Sequence, residues 1–238
     1  MEFSSNFFAL NFAFAHRVAD FTGMELEQAL LEHTYCYLAL GLGRDFNPDH
    51  PLWREFLTAT STLETQISQA HNFYLVRRLP KALPSPEQSC GCFYYSVWAD
   101  GRIRLHFRNI EEGITSPLSP ARFQLRRTEL YELIQRIRQD VREARTLVGG
   151  SWLYHMPAYR QLFPIAFLQT AEPSLDPQET RYLALWGQFV NRLGEVRSAE
   201  ARAFMVELEK AKSLAESMLA FPYSVLHLEA PLEVFEEG

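Results

Sequence analysis

The sequence predicts an α+β fold, a mainly antiparallel sheet containing a β-hairpin and flanked by several amphipathic helices. Three observations carry that expectation. Asp100-Gly101 stands between two runs of alternating side chains, which is how a tight hairpin closes. Helix-start signals built on Pro, Asp, Ser and Thr precede stretches whose apolar residues recur at helical spacing. At 238 residues, 47% apolar and 13% aromatic, the chain is long and apolar enough to bury a sizeable core.

Taken in order, Phe8, Leu10, Phe12 and Phe14 alternate with Ala9, Asn11, Ala13 and Ala15, so Phe7 to Val18 is expected as a strand with a bulky face and a small one. Thr22 and Glu25 have capping-box spacing, and Leu26, Leu30, His33 and Tyr37 then share one helical face up to Gly41. Asp49 or His50 before Pro51 starts a second helix, with Leu52, Phe56, Leu63, Ile67 and Phe73 on its stripe toward Arg78. Pro80, Pro84 and Pro86, with Ser85 and Ser89, can continue neither helix nor sheet. A boundary near residue 88 follows, with a mainly helical region over 1–88 and an α+β region over 89–238 that is either separate or continuous with it.

Phe93–Ala99 and Arg102–Arg108 are expected to form a hairpin with a two-residue loop, pairing Ala99 with Arg102 and Phe93 with Arg108. That register puts Tyr94, Ser96, Trp98, Ile103, Leu105 and Phe107 on a core face. The other face carries Phe93, Tyr95, Val97, Arg104, His106 and Arg108. Ser116-Pro117 and Ser119-Pro120 open a long helix whose stripe is Phe123, Leu130, Ile134, Ile137 and Val141, with Arg122, Arg126, Glu129, Arg136 and Glu143 away from it. A short strand, Arg145–Val148, is expected to run into a bend at Gly149-Gly150-Ser151, and Pro157 to open a helix closed by Pro164. Ile165–Thr170 is expected as a strand. Asp176-Pro177-Gln178-Glu179 is a helix start, followed by Tyr182, Leu185, Trp186 and Phe189 on a helix apolar nearly all round. Ser198–Leu219 is expected as a last helix and Tyr223–Glu229 as a final strand before an acidic tail.

A net charge of −6 and an isoelectric point near 5.7 argue against nucleic-acid binding, whose affinity needs clustered positive charge. Of the 23 basic residues 20 are Arg, which suits bidentate anion recognition and equally suits the coding bias of a GC-rich genome. No apolar run approaches the roughly 18 residues of a membrane span. An acidic start (Met1-Glu2) and an odd set of three cysteines place the chain in a cytoplasm rather than among exported, disulfide-bonded proteins.

The densest cluster of reactive side chains is Gly149-Gly150-Ser151-Trp152-Leu153-Tyr154-His155 with Arg160. Backbone amides at the glycine pair can approach a ligand oxygen, while Ser151, Tyr154, His155 and Arg160 supply hydroxyls, a proton carrier and a bidentate cation. The spacing matches neither a P-loop nor a G-x-S-x-G elbow. A second cluster is Arg104, His106 and Arg108, whose side chains leave one strand face about 7 Å apart and can share one carboxylate or phosphate. Gln188, beside Trp186 and Gly187, is a candidate pocket-wall donor. Ser151 with His106, His155 or His227 is the one triad-like set that suggests itself. Cys90-Gly91-Cys92 lacks the second ligand pair a structural zinc site needs, so neither metal nor cofactor is called for.

Gly149-Gly150-Ser151-Trp152-Leu153-Tyr154, Ala158-Tyr159-Arg160-Gln161-Leu162-Phe163-Pro164 and Leu185-Trp186-Gly187-Gln188-Phe189 resemble strings in an uncharacterised group of bacterial proteins with no assigned activity. The resemblance covers roughly the second half of the chain. It implies a bacterial origin and a recurring domain, and brings no catalytic residue with it.

Two functions remain open from sequence. In the first, an enzyme or small-molecule binder holds an anionic ligand with Arg104, Arg108, Gly149, Gly150, Tyr154, Arg160 and Gln188, and His155, Ser151 or His106 does the proton or nucleophile chemistry. In the second, a non-catalytic protein uses aromatic patches and its N-terminal helices to bind another cytosolic protein or a second copy of itself.

Overall fold

A computed structural model of the chain describes residues 2–80, 83–111, 115–141 and 143–236. Part of the expected linker, Lys81 and Ala82, and the last two residues of the expected acidic tail lie outside the described residues. The chain divides into two compact units, Met1–Lys81 with Leu175–Ser224, and Ala82–Ser174 with Val225–Gly238. The architecture is α+β, with helices and a six-stranded, mostly antiparallel sheet.

The first unit opens with a correction. Phe7 to Val18 is not a strand but part of α1 (Ser5–Thr22), in which Phe7, Phe8, Phe12, Phe14, Asn11 and Ala15 are all buried. A helix enclosed round most of its circumference buries both the bulky and the small set, so a period of two carries no face information there. Asn11 sits inside by donating to the Phe7 carbonyl at 2.9 Å and accepting from the Tyr35 amide at 2.8 Å. Gly23 ends α1 with φ +73°, and Thr22 belongs to its last turn, donating to the Val18 carbonyl rather than capping the next helix with Glu25. The helix expected up to Gly41 is two pieces, α2 (Leu26–His33) and α3 (Cys36–Ala39). α4 (Pro51–Ala59) starts where proline predicts, with His50 Nδ1 accepting from the Leu52 amide at 3.2 Å, and α5 (Gln66–Arg77) follows as a separate helix.

In the second unit β1 (Ser89–Cys90), β2 (Phe93–Val97) and β3 (Ile103–Phe107) pair antiparallel in sequence order. Phe93 pairs with Phe107 and Val97 with Ile103, one residue away from the expected register. The connection is a three-residue loop: the Trp98 amide donates to the Arg102 carbonyl, the Gly101 amide to the Trp98 carbonyl, and Gly101 has φ +81°. One residue of slip exchanges faces, so Phe93, Tyr95, Ile103 and Leu105 form the core face and Tyr94, Ser96 and Trp98 join Arg104 and His106 on the other.

α6 (Phe123–Asp140) lays Leu130, Leu133, Ile134 and Ile137 onto that core, but Arg126 and Glu129, expected at its outer side, are buried. β4 (Thr146–Ser151) carries the glycine pair inside a strand, not in a bend. α7 (Pro157–Arg160) starts at its proline, α8 (Ile165–Leu168) replaces the expected strand over Ile165–Thr170, and β5 (Glu172–Ser174) follows.

Leu175 returns the chain to the first unit. Asp176 Oδ1 accepts from the Gln178 amide at 2.9 Å, starting a single 3-10 turn before α9 (Leu183–Trp186). The expected last helix is α10 (Ser198–Lys210) and α11 (Leu214–Leu219), restarted where Ser213 Oγ accepts from the Glu216 amide and Glu216 Oε2 from the Lys212 amide. Phe14, Trp186, Phe204 and Phe221 meet in this unit's core, with ring centroids 4.9 to 6.3 Å apart. β6 (Val225–Pro231) then completes the second unit's sheet, whose order is β1-β2-β3-β4-β6-β5 with β3 and β4 parallel.

Candidate functional site

Strict alternation along β2 and β3 sorts side chains by chemistry, so the sheet face opposite the apolar core carries aromatic and basic groups. Arg104 Cζ lies 5.6 Å from the centroid of Trp98, and Arg108 Cζ lies 5.8 Å from that of Tyr94. The His106 imidazole stacks on Tyr94 at 4.6 Å with an interplanar angle of 13°. Its Nε2 is 2.9 Å from Ser96 Oγ. Arg108 Nε is buried and has no hydrogen-bond partner among the described residues.

Arg104 and Gly150 are brought together by the parallel pairing of β3 with β4, in which Arg104 lies beside Val148. A Cβ on Gly150 would stand 3.1 Å from Arg104 Nη2 and 3.8 Å from Cδ2 of His227. The missing side chain therefore leaves the guanidinium room to lie across β4. His227 pairs with Gly150 and helps line a groove of about 470 Å³ with Trp98, Arg102, Thr170, Glu172 and Glu229. Arg102 bridges Asp100 at 2.7 Å and Glu229 at 3.0 Å, so acidic groups mark the β6 side of this face and cationic groups the β3 side.

The other sequence candidates lie elsewhere. Gly149 faces the core, where a Cβ would run into the Tyr154 hydroxyl. Tyr154 is buried against Tyr159 and Phe163, and burial pushes both tyrosine hydroxyls above the usual phenol range. Ser151 Oγ accepts from the Leu153 amide at 3.1 Å and so caps a 3-10 turn that ends at His155. Arg160 Nη1 donates to the Tyr154 carbonyl at 3.3 Å. Gln188 belongs to the first unit, donating to the Leu185 and Tyr223 carbonyls and accepting from the Tyr223 amide.

Sequence reasoning missed a buried ion cluster. Arg126, 2% exposed, holds Glu111 at 2.6 Å and Glu129 at 3.0 Å, and its Nη1 donates to Cys92 Sγ. Glu129 Oε2 accepts from the Cys92 amide at 3.0 Å, and Gly91, with φ +54°, leaves room for that carboxylate. Desolvation raises the Glu129 pKa against the opposing pull of the Cys92 amide and Arg126. Cys90 Sγ donates to Glu132 at 3.3 Å, and burial pushes its thiol up to about 11. The Cys90-Gly91-Cys92 turn is thus locked to α6, and among the described residues no group of three or more His, Cys, Asp or Glu could hold a metal ion. Nor is any helix among them long and apolar enough to cross a membrane.

No family model, curated protein or solved structure matches the chain.

Proposed function

We propose that the second unit binds an anionic small molecule, one bearing a phosphate or carboxylate, on the aromatic and basic face of its sheet. Arg104 and Arg108 are the charge partners, Gly150 is the floor over which the Arg104 guanidinium lies, and His106 stands between the two arginines along the chain. The observation that carries this reading is the spacing of Arg104 and His106 on β3 with Arg108 just past its end, where its amide still donates to the Cys92 carbonyl, together with the unpartnered buried Nε of Arg108. Guanidinium groups bind carboxylate and phosphate bidentately, and the aromatic plates of Trp98 and Tyr94 hold them in place. The net charge of −6 disfavours long polyanions and leaves a small ligand, for which local charge decides. Three free thiols suit a reducing compartment such as a cytoplasm.

A thermal-shift series with phosphate, pyrophosphate and citrate tests the proposal. A ligand at a hundredfold excess over its dissociation constant stabilises by about 2.7 kcal/mol, so the wild type should gain several degrees with at least one of them. Arg104→Ala and Arg108→Ala should each lose most of that gain. The same response in both variants as in the wild type, or no response from any of the three anions, overturns it.

A further inference from the structure

We infer that Ser96 and His106 form a nucleophile and base pair that hydrolyses small activated esters, with a preference for esters carrying a negative charge. Tyr94 pairs with His106 and Ser96 with Arg104, so Ser96 sits diagonal to His106 and shares its sheet face with both. The 2.9 Å between Ser96 Oγ and His106 Nε2 is within the range for direct proton transfer. With the proton on Nδ1, the hydroxyl donates to Nε2, which is the arrangement a general base requires. Stacking on Tyr94 at 4.6 Å and 13° holds the imidazole plane, and so keeps Nε2 aimed at Ser96. Arg104 adds a cation to the same sheet face, its guanidinium lying over Gly150 of the neighbouring strand, where it favours substrates that carry a negative charge.

The reaction balances without any group foreign to the site except water. Ser96 Oγ forms a bond to the carbonyl carbon while its proton moves to His106 Nε2. The ester C–O bond then breaks and the leaving alcohol takes that proton. Water attacks the acyl-Ser96 ester, gives a proton to Nε2, and the proton returns to Ser96 Oγ as the acid departs. The preference for charged esters rests on the anion-binding proposal above, whereas the covalent step does not.

The test uses the full chain with a fluorophosphonate probe, peptide mass mapping, and two chromogenic substrates, p-nitrophenyl benzoate and p-nitrophenyl 4-carboxybenzoate, whose carboxylate cannot reach its own ester. The wild type should be labelled at Ser96 and should hydrolyse the charged ester faster. Ser96→Ala, folded by circular dichroism, should fall to the buffer rate, and His106→Gln should lose about a hundredfold or more. Arg104→Gln should erase the preference between the two esters. No label on Ser96 of the wild type, or hydrolysis by Ser96→Ala at the wild-type rate, overturns the pair. Labelling at Ser96 with equal rates on both esters upholds the pair and overturns the charge preference alone.

Discussion

Arg126 and Glu129 stand three positions apart on α6, and from sequence alone they belong with the solvated side of an amphipathic helix. Their burial comes from the Cys90–Cys92 turn, nearly forty residues earlier in the chain, which no helical periodicity encodes. Removing one member of such a cluster leaves buried charge without a partner. Arg126→Met should therefore lower stability by about 3–5 kcal/mol in urea denaturation, far more than an exposed Arg to Met change. Glu129 supplies a pH signature. Its pKa is raised in the folded state, so the folded chain holds this proton more tightly than the unfolded chain does. Its contribution is fully present below the ordinary carboxylate value, near 4.5, and is lost as pH rises through the folded value. Across that window the stability of Glu129→Gln should fall less with rising pH than that of the wild type, and parallel curves would contradict the assignment.

At the scale of elements, the turn at Asp100-Gly101 was legible and the pairing around it was not. Two- and three-residue loops are both compatible with those residues, and they differ by the one residue that exchanges faces. The signal that decides between them lies in the strands: only the observed register puts Phe93 and Tyr95 on one face with Ile103 and Leu105, apolar beside apolar. Gly101, at φ +81°, is required by the three-residue loop, and nothing lies within 4 Å of a Cβ built there. Gly101→Ala should thus lose about 1–2 kcal/mol from backbone strain alone, with Gly101→Asn losing less. An alanine variant as stable as the wild type would show that the loop is not the one described. Other elements differ from the sequence expectation because their environment outranks their local pattern. α1 is enclosed by its neighbours, so the alternation of Phe and Ala carries no strand information. The glycine pair sits inside β4 because Tyr154 needs space on one side and Arg104 on the other. Helices do start at Pro51 and Pro157 as the prolines predict, since a fixed φ and a missing amide act locally.

For the whole molecule, the hairpin turn, the helix starts and the apolar content are enough for an α+β chain with a core, and insufficient for its connectivity. The Pro-rich stretch marks one crossing between the two units, while the return of Leu175–Ser224 to the first unit depends on long-range aromatic packing such as Phe14 with Trp186. The candidate site was legible as a set of residue types: Arg104, His106, Arg108 and Gly150 share one sheet face. The two-residue loop expected at Asp100-Gly101 puts Ser96 on the opposite face, and Tyr154, Gly149 and Gln188 lie in interiors. The central claim, that this face binds an anion, is tested most directly by titrating the isotope-labelled full chain with inorganic phosphate and following every backbone amide by two-dimensional NMR. The account predicts saturable shifts concentrated in Tyr94–Trp98, Arg102–Arg108 and Gly150, and their loss in Arg104→Ala. Shifts scattered over both units, or centred away from β3 and β4, would contradict it.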